Sequence, residues 1–127
     1  MADAKPKVLL VEDDSFMVTL LAQGFKAEGF EIILANDGDE AVKKFQESKP
    51  DALIIDILLP RKSGLEALRE IRQLEGGERT PTIILSNLED HRYFQEAQAL
   101  GASAYLIKAN TLVPEIVAKA KEAIHNK

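Results

Sequence analysis

The 127-residue chain contains no cysteine, which excludes disulfide bonds and thiolate metal sites and is typical of proteins in a reducing cytoplasm. It also contains no apolar run that approaches the ~20 residues needed to cross a bilayer. The first residues, Met1 to Lys7, lack the apolar stretch of a signal peptide. We therefore predict a cytoplasmic protein that does not associate with membranes.

An excess of positive charge is missing as well. Lysine and arginine number 16 against 21 aspartates and glutamates, so the formal net charge is -5. Proteins that bind nucleic acids usually carry a basic surface, and no nucleic-acid partner is predicted here. The sequence also lacks the glycine-rich motifs Gly-x-Gly-x-x-Gly and Gly-x-x-x-x-Gly-Lys, which argues against a module that binds a nucleotide or flavin cofactor.

The sequence does contain a regular alternation of short apolar runs and segments with helical periodicity. The apolar runs predict buried strands. These strands are Lys7–Val11, Glu31–Ala35, Leu53–Ile55, Thr82–Leu85 and Ala104–Ile107. The predicted helices are Met17–Phe25 with Gly29 as its stop, Ala41–Phe45 between a turn at Asp37–Gly38 and Pro50, Ser63–Leu74, Asp90–Leu100, and Val113–Ile124 with Pro114 in its first turn.

This alternation predicts the fold. Because the connections are only a few residues long, right-handed crossovers force a parallel sheet that is covered by helices on both faces. The hydrophobic content of 46% is sufficient for one substantial core. We predict an α/β protein with a doubly wound, five-stranded parallel sheet and five helices in a single domain, residues 1–127.

Several predicted strands end in polar side chains. The polar residues at these ends are Glu12, Asp13, Asp14, Asp56, Ser86 and Lys108. Because the carboxyl ends of parallel strands meet at one edge of a sheet, these side chains are predicted to converge. Each also has an ordinary structural interpretation, as a helix cap, a turn residue or a solvated lysine. Asp14 is the best candidate for a helix cap, which leaves Glu12 and Asp13 as the candidate ligands.

Asp56 is the predicted centre of the site. It lies between the apolar segments Leu53–Ile55 and Ile57–Leu59, where a carboxylate is costly to bury unless it is paired. Asp13, Asp56 and a backbone carbonyl just after Asp56 form a set of oxygen donors that suits Mg²⁺. The ammonium of Lys108 can pair with Asp56 and then with a phosphoryl oxygen. We predict that Asp56 attacks a phosphoryl group while the cation neutralises charge on its oxygens.

As a set, the motifs resemble those of the response-regulator receiver family. They are Val11-Glu12-Asp13-Asp14, Asp56-Ile57-Leu58-Leu59-Pro60 with Gly64 following, Leu85-Ser86-Asn87 and Tyr105-Leu106-Ile107-Lys108. The match covers essentially the whole chain, in the family's order and spacing. The resemblance implies a flavodoxin-like fold with the strand order 2-1-3-4-5, an order that periodicity alone does not supply.

The resemblance also implies a chemistry for the site. Asp56 would accept a phosphoryl group from a histidine kinase or a histidine phosphotransfer protein. Glu12, Asp13 and Asp56, with the backbone carbonyl of Leu58, would hold Mg²⁺, and Lys108 would contact the phosphoryl group. The protein would then be no enzyme toward external substrates, because it would catalyse only its own phosphorylation and dephosphorylation.

An output follows from the same resemblance. Ser86 and Tyr105 match the switch hydroxyl and the switch aromatic, which alter a protein-binding face on the fourth helix, fifth strand and fifth helix. A downstream protein would bind this face, and the phosphodonor would bind near Phe16, Thr19 and Pro60. The chain would be a monomer or a weak homodimer that acts as a stand-alone switch, because it ends at its fifth helix.

Two residues depart from the family pattern. Ala109 follows Lys108 where the family usually has a proline, so we expect a trans peptide bond and a different placement of the loop and the lysine. Asn87 is larger than the small residue often found after the switch hydroxyl. We expect it to restrict access to the phosphoryl group and to change the lifetime of the phosphorylated state.

Two alternative functions are open to a chain with these features. One is a receiver-like docking module that is not phosphorylated, and retention of Asp13, Asp56, Ser86 and Lys108 argues against it. The other is a phosphatase with an aspartate nucleophile on a similar sheet. Such enzymes have a second aspartate two residues after the nucleophile, where this chain has Leu58.

Overall fold

The computed structural model describes residues 5–126 and contains one parallel sheet with helices on both sides. The first four residues and Lys127 of the predicted domain lie outside this range. The strands are β1 (Lys7–Val11), β2 (Glu31–Ala35), β3 (Ala52–Ile55), β4 (Thr82–Ser86) and β5 (Ala104–Ile107). The helices are α1 (Ser15–Ala27), α2 (Gly38–Ser48), α3 (Gly64–Ile71), α4 (His91–Ala99) and α5 (Val113–His125), with a 3₁₀ turn at Lys108–Asn110.

The strand order is β2-β1-β3-β4-β5, and all four pairings are parallel. The predicted fold class and the strand order implied by the resemblance are therefore confirmed. In the register of the sheet, Val11 of β1 lies opposite Ile55 of β3, and Ser86 of β4 lies opposite Ile107 of β5. The residues that follow these positions therefore emerge at one edge of the sheet.

The core has two halves because successive strand residues point to opposite faces. On one face, Leu9, Leu53 and Ile84 pack in a buried cluster with residues of α2, α3 and α4. On the other face, Leu10 and Ile54 pack with residues of α1 and α5. Both faces are covered, which explains why the strands are continuous apolar runs and not alternating ones.

Some predicted boundaries are wrong. The helix predicted over Ser63–Leu74 ends at Ile71, because the backbone continues in tight turns in which the amide of Leu74 donates to the carbonyl of Ile71. The turn predicted at Asp37–Gly38 is the start of α2, and the Asp37 side chain caps it by accepting from the amide of Glu40.

The other helices are longer than predicted, by two residues at each end of α1, three at each end of α2 and one at the end of α5, and shifts of one residue occur at the start of α3 and at the ends of β3, β4 and α4. Asp90 and Leu100, predicted as the first and last residues of the fourth helix, are its caps. The predicted stop at Gly29 and the first-turn position of Pro114 are confirmed. Between residues 5 and 126, no helix combines the length and the apolar character that a membrane span requires.

Candidate functional site

The carboxyl ends of β1 and β3 place the acidic residues of the site. The amide of Glu12 donates to the carbonyl of Ala35 and that of Asp56 to the carbonyl of Val11, each at 3.1 Å, so the strand pairing continues one residue past both strands. Glu12 is 2% exposed and Asp56 7% exposed, whereas Asp13 faces solvent. The side chain of Asp14 accepts from two amides of α1, which confirms it as the helix cap.

The ammonium group of Lys108 contacts both buried carboxylates, Glu12 and Asp56. Lys108 Nζ lies 2.7 Å from Asp56 Oδ2 and 2.6 Å from Glu12 Oε1. Burial raises the pKa of Glu12 above its usual 4.5, although the hydrogen bond from Lys108 acts to lower it. Burial also acts to lower the pKa of Lys108, but its hydrogen bonds to Asp56 and Glu12 outweigh this and raise it above 10.5. Lys108 therefore remains charged at neutral pH.

The three carboxylates are close enough to share one cation. Glu12, Asp13 and Asp56 each offer an oxygen, and these oxygens all lie within 4.8 Å of one another. No hydrogen bond between described residues uses the backbone carbonyl of Leu58, whereas the neighbouring carbonyl of Ile57 accepts from the amide of Gly64 at 2.8 Å. The site therefore presents oxygen donors alone, which is the donor set that Mg²⁺ prefers.

The backbone orients Asp56. The amide of Ile57 donates to Asp56 Oδ1 at 2.7 Å, so each carboxylate oxygen accepts at least one hydrogen bond. The first residue of α3, Gly64, packs directly against the backbone of Asp56, where a Cβ would overlap the carbonyl oxygen of that residue. This contact leaves room only for glycine and holds α3 against the site.

Replacing Gly64 by alanine is expected to reduce the free energy of unfolding by about 2 kcal/mol, because the new methyl group must displace the backbone of Asp56. Urea denaturation checks this value. Gly76→Ala is the control, because its methyl group meets open space and only the cost of a positive φ, about 1 kcal/mol, applies. Equal effects of the two variants would contradict the close contact at Gly64.

The two predicted switch residues meet at Leu88. Ser86 Oγ accepts from the amide of Leu88 at 3.2 Å, and the hydroxyl of Tyr105 donates to the carbonyl of Leu88 at 2.6 Å. The ring of Tyr105 packs edge-on against Phe94 of α4, with 4.3 Å between ring centroids. Burial raises the pKa of Tyr105 above 10. Ser86 and Tyr105 are thus linked through one backbone segment that leads into α4.

The two residues that depart from the family pattern also lie together. The described residues contain no cis peptide bond, so the bond from Lys108 to Ala109 is trans, as expected. Asn87 Oδ1 accepts from the amide of Ala109 at 2.9 Å. Nothing local in the sequence links these two residues, because the amide and its acceptor lie 22 positions apart.

Exposed apolar side chains lie near the site in the sequence. Phe16 and Leu112 are each 70% exposed, and the side chain of Leu58 is exposed as well. Of the three residues predicted to contact a phosphodonor, Phe16, Thr19 and Pro60, all face solvent. The exposed side chain of Leu112 could not be predicted, because this residue lies in a loop in which apolar periodicity carries no information.

Comparison with known proteins places this arrangement in a family. A model of the response regulator receiver domain matches residues 8–120. The chain belongs to this family. Receiver domains are the signalling modules of two-component systems, and the matched range contains the acidic cluster, Ser86 and Lys108.

The receiver domain has relatives among larger regulators. It is 39% identical over 116 residues to the phosphate regulon transcriptional regulatory protein PhoB of Rhizobium meliloti (strain 1021), covering 91% of this chain and 51% of that protein. It is 37% identical over 119 residues to the transcriptional regulatory protein TrcR of Mycobacterium tuberculosis, covering 93% of this chain and 45% of that protein. The chain thus spans about half the length of these curated relatives.

Solved structures share its fold. The receiver domain of the sensor histidine kinase PA1611 from Pseudomonas aeruginosa PAO1 superposes with a TM-score of 0.86 at 30% identity, and the match covers 96% of this chain and 99% of that one. That structure has a magnesium ion coordinated in its active site cleft.

Proposed function

We propose that this receiver domain is a phosphoacceptor switch in which Asp56 takes a phosphoryl group from a phosphohistidine donor. The observation that carries the proposal is the position of Lys108, whose ammonium bridges Asp56 and Glu12 beside a third carboxylate. A half-buried lysine paired with two carboxylates is well placed to meet the charge of an incoming phosphoryl group.

In the proposed reaction, a carboxylate oxygen of Asp56 attacks the phosphorus atom. The bond from phosphorus to the donor nitrogen breaks, its electron pair stays on the donor, and Asp56 becomes an acyl phosphate. Lys108 then transfers its hydrogen bond from the carboxylate to a phosphoryl oxygen. The amide of Ile57 holds the other Asp56 oxygen in place throughout.

Residues present in the site fit Mg²⁺. Asp13, Asp56 and the carbonyl of Leu58 would hold it directly, and Glu12 would hold it through water. When bound, the ion supplies positive charge that neutralises the phosphoryl oxygens. Three carboxyl groups lie beside one ammonium, so the negative charge that the site can carry exceeds the positive charge of Lys108.

The proposed output starts at Ser86. A phosphoryl group adds about -1.5 to -2 charges, and the Ser86 hydroxyl, at the neighbouring strand end, would turn and donate to it. Ser86 then releases the amide of Leu88, whose carbonyl holds Tyr105. Tyr105 contacts Phe94, so the change reaches α4 and alters the face formed by α4, β5 and α5.

The proposed partners follow from this output. A histidine kinase or histidine phosphotransfer protein would donate the phosphoryl group in the cytoplasm, and a downstream protein would bind the altered face. The exposed side chains of Phe16 and Leu112 follow Asp13 and Lys108 within a few residues, and they offer apolar contacts to the donor. The protein would turn over no external substrate.

Incubation with Mg²⁺ and a small phosphodonor tests the proposal. Intact mass is expected to rise by one phosphoryl group in the wild type and not in Asp56→Asn, which lacks the nucleophile. Asp39→Asn is the matched control, because Asp39 is an exposed carboxylate that pairs with Lys62 away from the site, and this variant should label like the wild type. A wild type that takes no label from small donors or from histidine kinases would favour the docking module instead.

A further inference from the structure

The 3₁₀ turn that carries Lys108 is capped by a residue from another part of the chain. The first amides of any helical turn have no partner within the turn. Here the residue before the turn, Ile107, supplies no side-chain cap. The amide of Ala109 instead donates to Asn87 Oδ1 on the neighbouring connection, at 2.9 Å. Asn87 therefore serves as a cap contributed by a different strand end.

This hydrogen bond acts on the backbone of Lys108. The amide of Ala109 and the carbonyl of Lys108 belong to one rigid peptide plane. Holding that amide fixes the orientation of the plane and therefore the ψ angle of Lys108. The side chain of Lys108 starts from this backbone and must place Nζ within 2.7 Å of both Asp56 and Glu12.

The contact depends on both departures from the family pattern at once. A proline at position 109 would have no amide hydrogen to donate. An alanine or a glycine at position 87 would have no side-chain oxygen to accept it. Asn87 and Ala109 thus form a matched pair that ties the end of β4, which carries Ser86, to the end of β5, which leads to Lys108.

We propose that Asn87 is a positioning residue that holds Lys108 over Asp56 by capping the Lys108–Asn110 turn. The inference rests on the proposed function, because it assigns Asn87 a part in phosphorylation. Asn87 touches neither the acceptor nor the acidic cluster through any hydrogen bond between described residues. Its effect is therefore on the rate of the phosphoryl transfer, and its loss should not weaken the binding of the cation.

Three variants separate this role from general damage. Asn87→Ala removes the acceptor oxygen, and Asn87→Asp keeps an oxygen in the same place. Asn110→Ala is the matched control, because Asn110 is an exposed asparagine of the same turn whose side chain makes no hydrogen bond to another described residue. Both positions are exposed to solvent, so each variant is expected to fold.

Two measurements are made on each variant. Hydrogen exchange followed by NMR is expected to show about a fivefold loss of protection at the Ala109 amide in Asn87→Ala, and little loss in Asn87→Asp or Asn110→Ala. Phosphorylation by a small phosphodonor at saturating Mg²⁺ is expected to slow about three- to tenfold in Asn87→Ala. The Asn110→Ala variant should not slow in this way. The Mg²⁺ concentration that gives half the maximal rate should not rise by more than about twofold.

Each other outcome counts against the inference. Unchanged protection of the Ala109 amide in Asn87→Ala overturns the cap, whatever the phosphorylation result. A wild type that labels and an Asn87→Ala variant that labels equally fast overturn the positioning role while the proposed function stands. A weakened Mg²⁺ response, or an equal loss of rate in Asn110→Ala, identifies general disruption of the site and also overturns it. A wild type that never labels overturns the proposed function and with it the role of Asn87.

Discussion

An Arg72→Ala variant is expected to lose about 3 to 4 kcal/mol of unfolding free energy, because the Arg72 guanidinium satisfies five acceptors at once. The acceptors are the carbonyl oxygens of Gly77, Thr80, Leu100 and Gly101 and the hydroxyl of Thr82, at 2.7 to 3.3 Å. All five N–H groups of the side chain are used. They join the ends of α3 and α4 to the start of β4, at the end of the sheet opposite Asp56.

Thermal and urea denaturation check this expectation. For a domain of this size the loss corresponds to a melting temperature lower by roughly 10 to 15 °C. Arg69→Ala is the matched control, because Arg69 lies one turn earlier, is 54% exposed and, among the described residues, pairs with Glu96 alone, so its loss should stay below about 1 kcal/mol. Arg72→Lys keeps the charge but has one nitrogen in place of three, and it should recover less than half of the loss. Similar melting of Arg72→Ala and Arg69→Ala would contradict this role.

Replacing Lys108 by methionine is expected to have the second large effect. Methionine keeps an unbranched chain but leaves Glu12 and Asp56 buried without their cation. Without divalent ions at pH 7, the free energy of unfolding should fall by about 3 kcal/mol. The phosphorylation rate should fall about 100-fold, the usual consequence of removing one group that stabilises charge in the transition state. Lys121→Met, which breaks the exposed pair with Glu28, should cost less than about 1 kcal/mol.

The stability difference between wild type and Lys108→Met is expected to depend on pH. The folded-state pKa of Glu12 lies above 4.5 and rises further without Lys108, so the variant is stabilised by protonation at low pH and loses that stability as the pH rises past 4.5. The difference should therefore be small near pH 4.5 and large at pH 7. It should shrink again as the pH rises through the raised pKa of Lys108, above 10.5, where the wild type loses its ammonium.

Mg²⁺ provides a further check on the same variant. In the wild type a cation must displace or accommodate the ammonium of Lys108, whereas in Lys108→Met the carboxylates are free to bind it. Added Mg²⁺ should therefore raise the melting temperature of the variant more than that of the wild type. An equal rise in both proteins would show that Lys108 and the cation do not share Glu12, Asp13 and Asp56.

Comparison of sequence and structure shows which parts of the site were predictable. Glu12, Asp13, Asp56, Ser86 and Lys108 were expected at one edge because each follows or ends a strand of a parallel sheet, and the structure places them there. The bridging of Glu12 by Lys108 was not expected. It depends on the reach of a flexible side chain from the end of β5, past β4 and β3, to the end of β1, and no local pattern encodes that distance.

Two predicted helix boundaries were wrong for a related reason. Apolar periodicity continues through Leu74, but the backbone leaves the helix after Ile71, where the guanidinium of Arg72 binds carbonyl groups of later segments. Likewise, Asp37–Gly38 is typical of a turn in an isolated sequence, yet the Asp37 side chain caps α2 in the folded chain. Contacts within a few residues were predictable, whereas contacts formed only after folding were not.

The amino-acid sequence by itself determined the alternation of strands and helices, the parallel sheet and the set of polar strand ends, because these follow from periodicity and from short connections. Tertiary structure alone decided that Lys108 bridges two acids and that Asn87 caps the Lys108–Asn110 turn. It also decided that Arg72 binds backbone carbonyl groups at the end of the sheet opposite Asp56. The contacts of Lys108 and Asn87 join residues 22 to 96 positions apart, and only the packed sheet brings such distant groups within hydrogen-bonding distance.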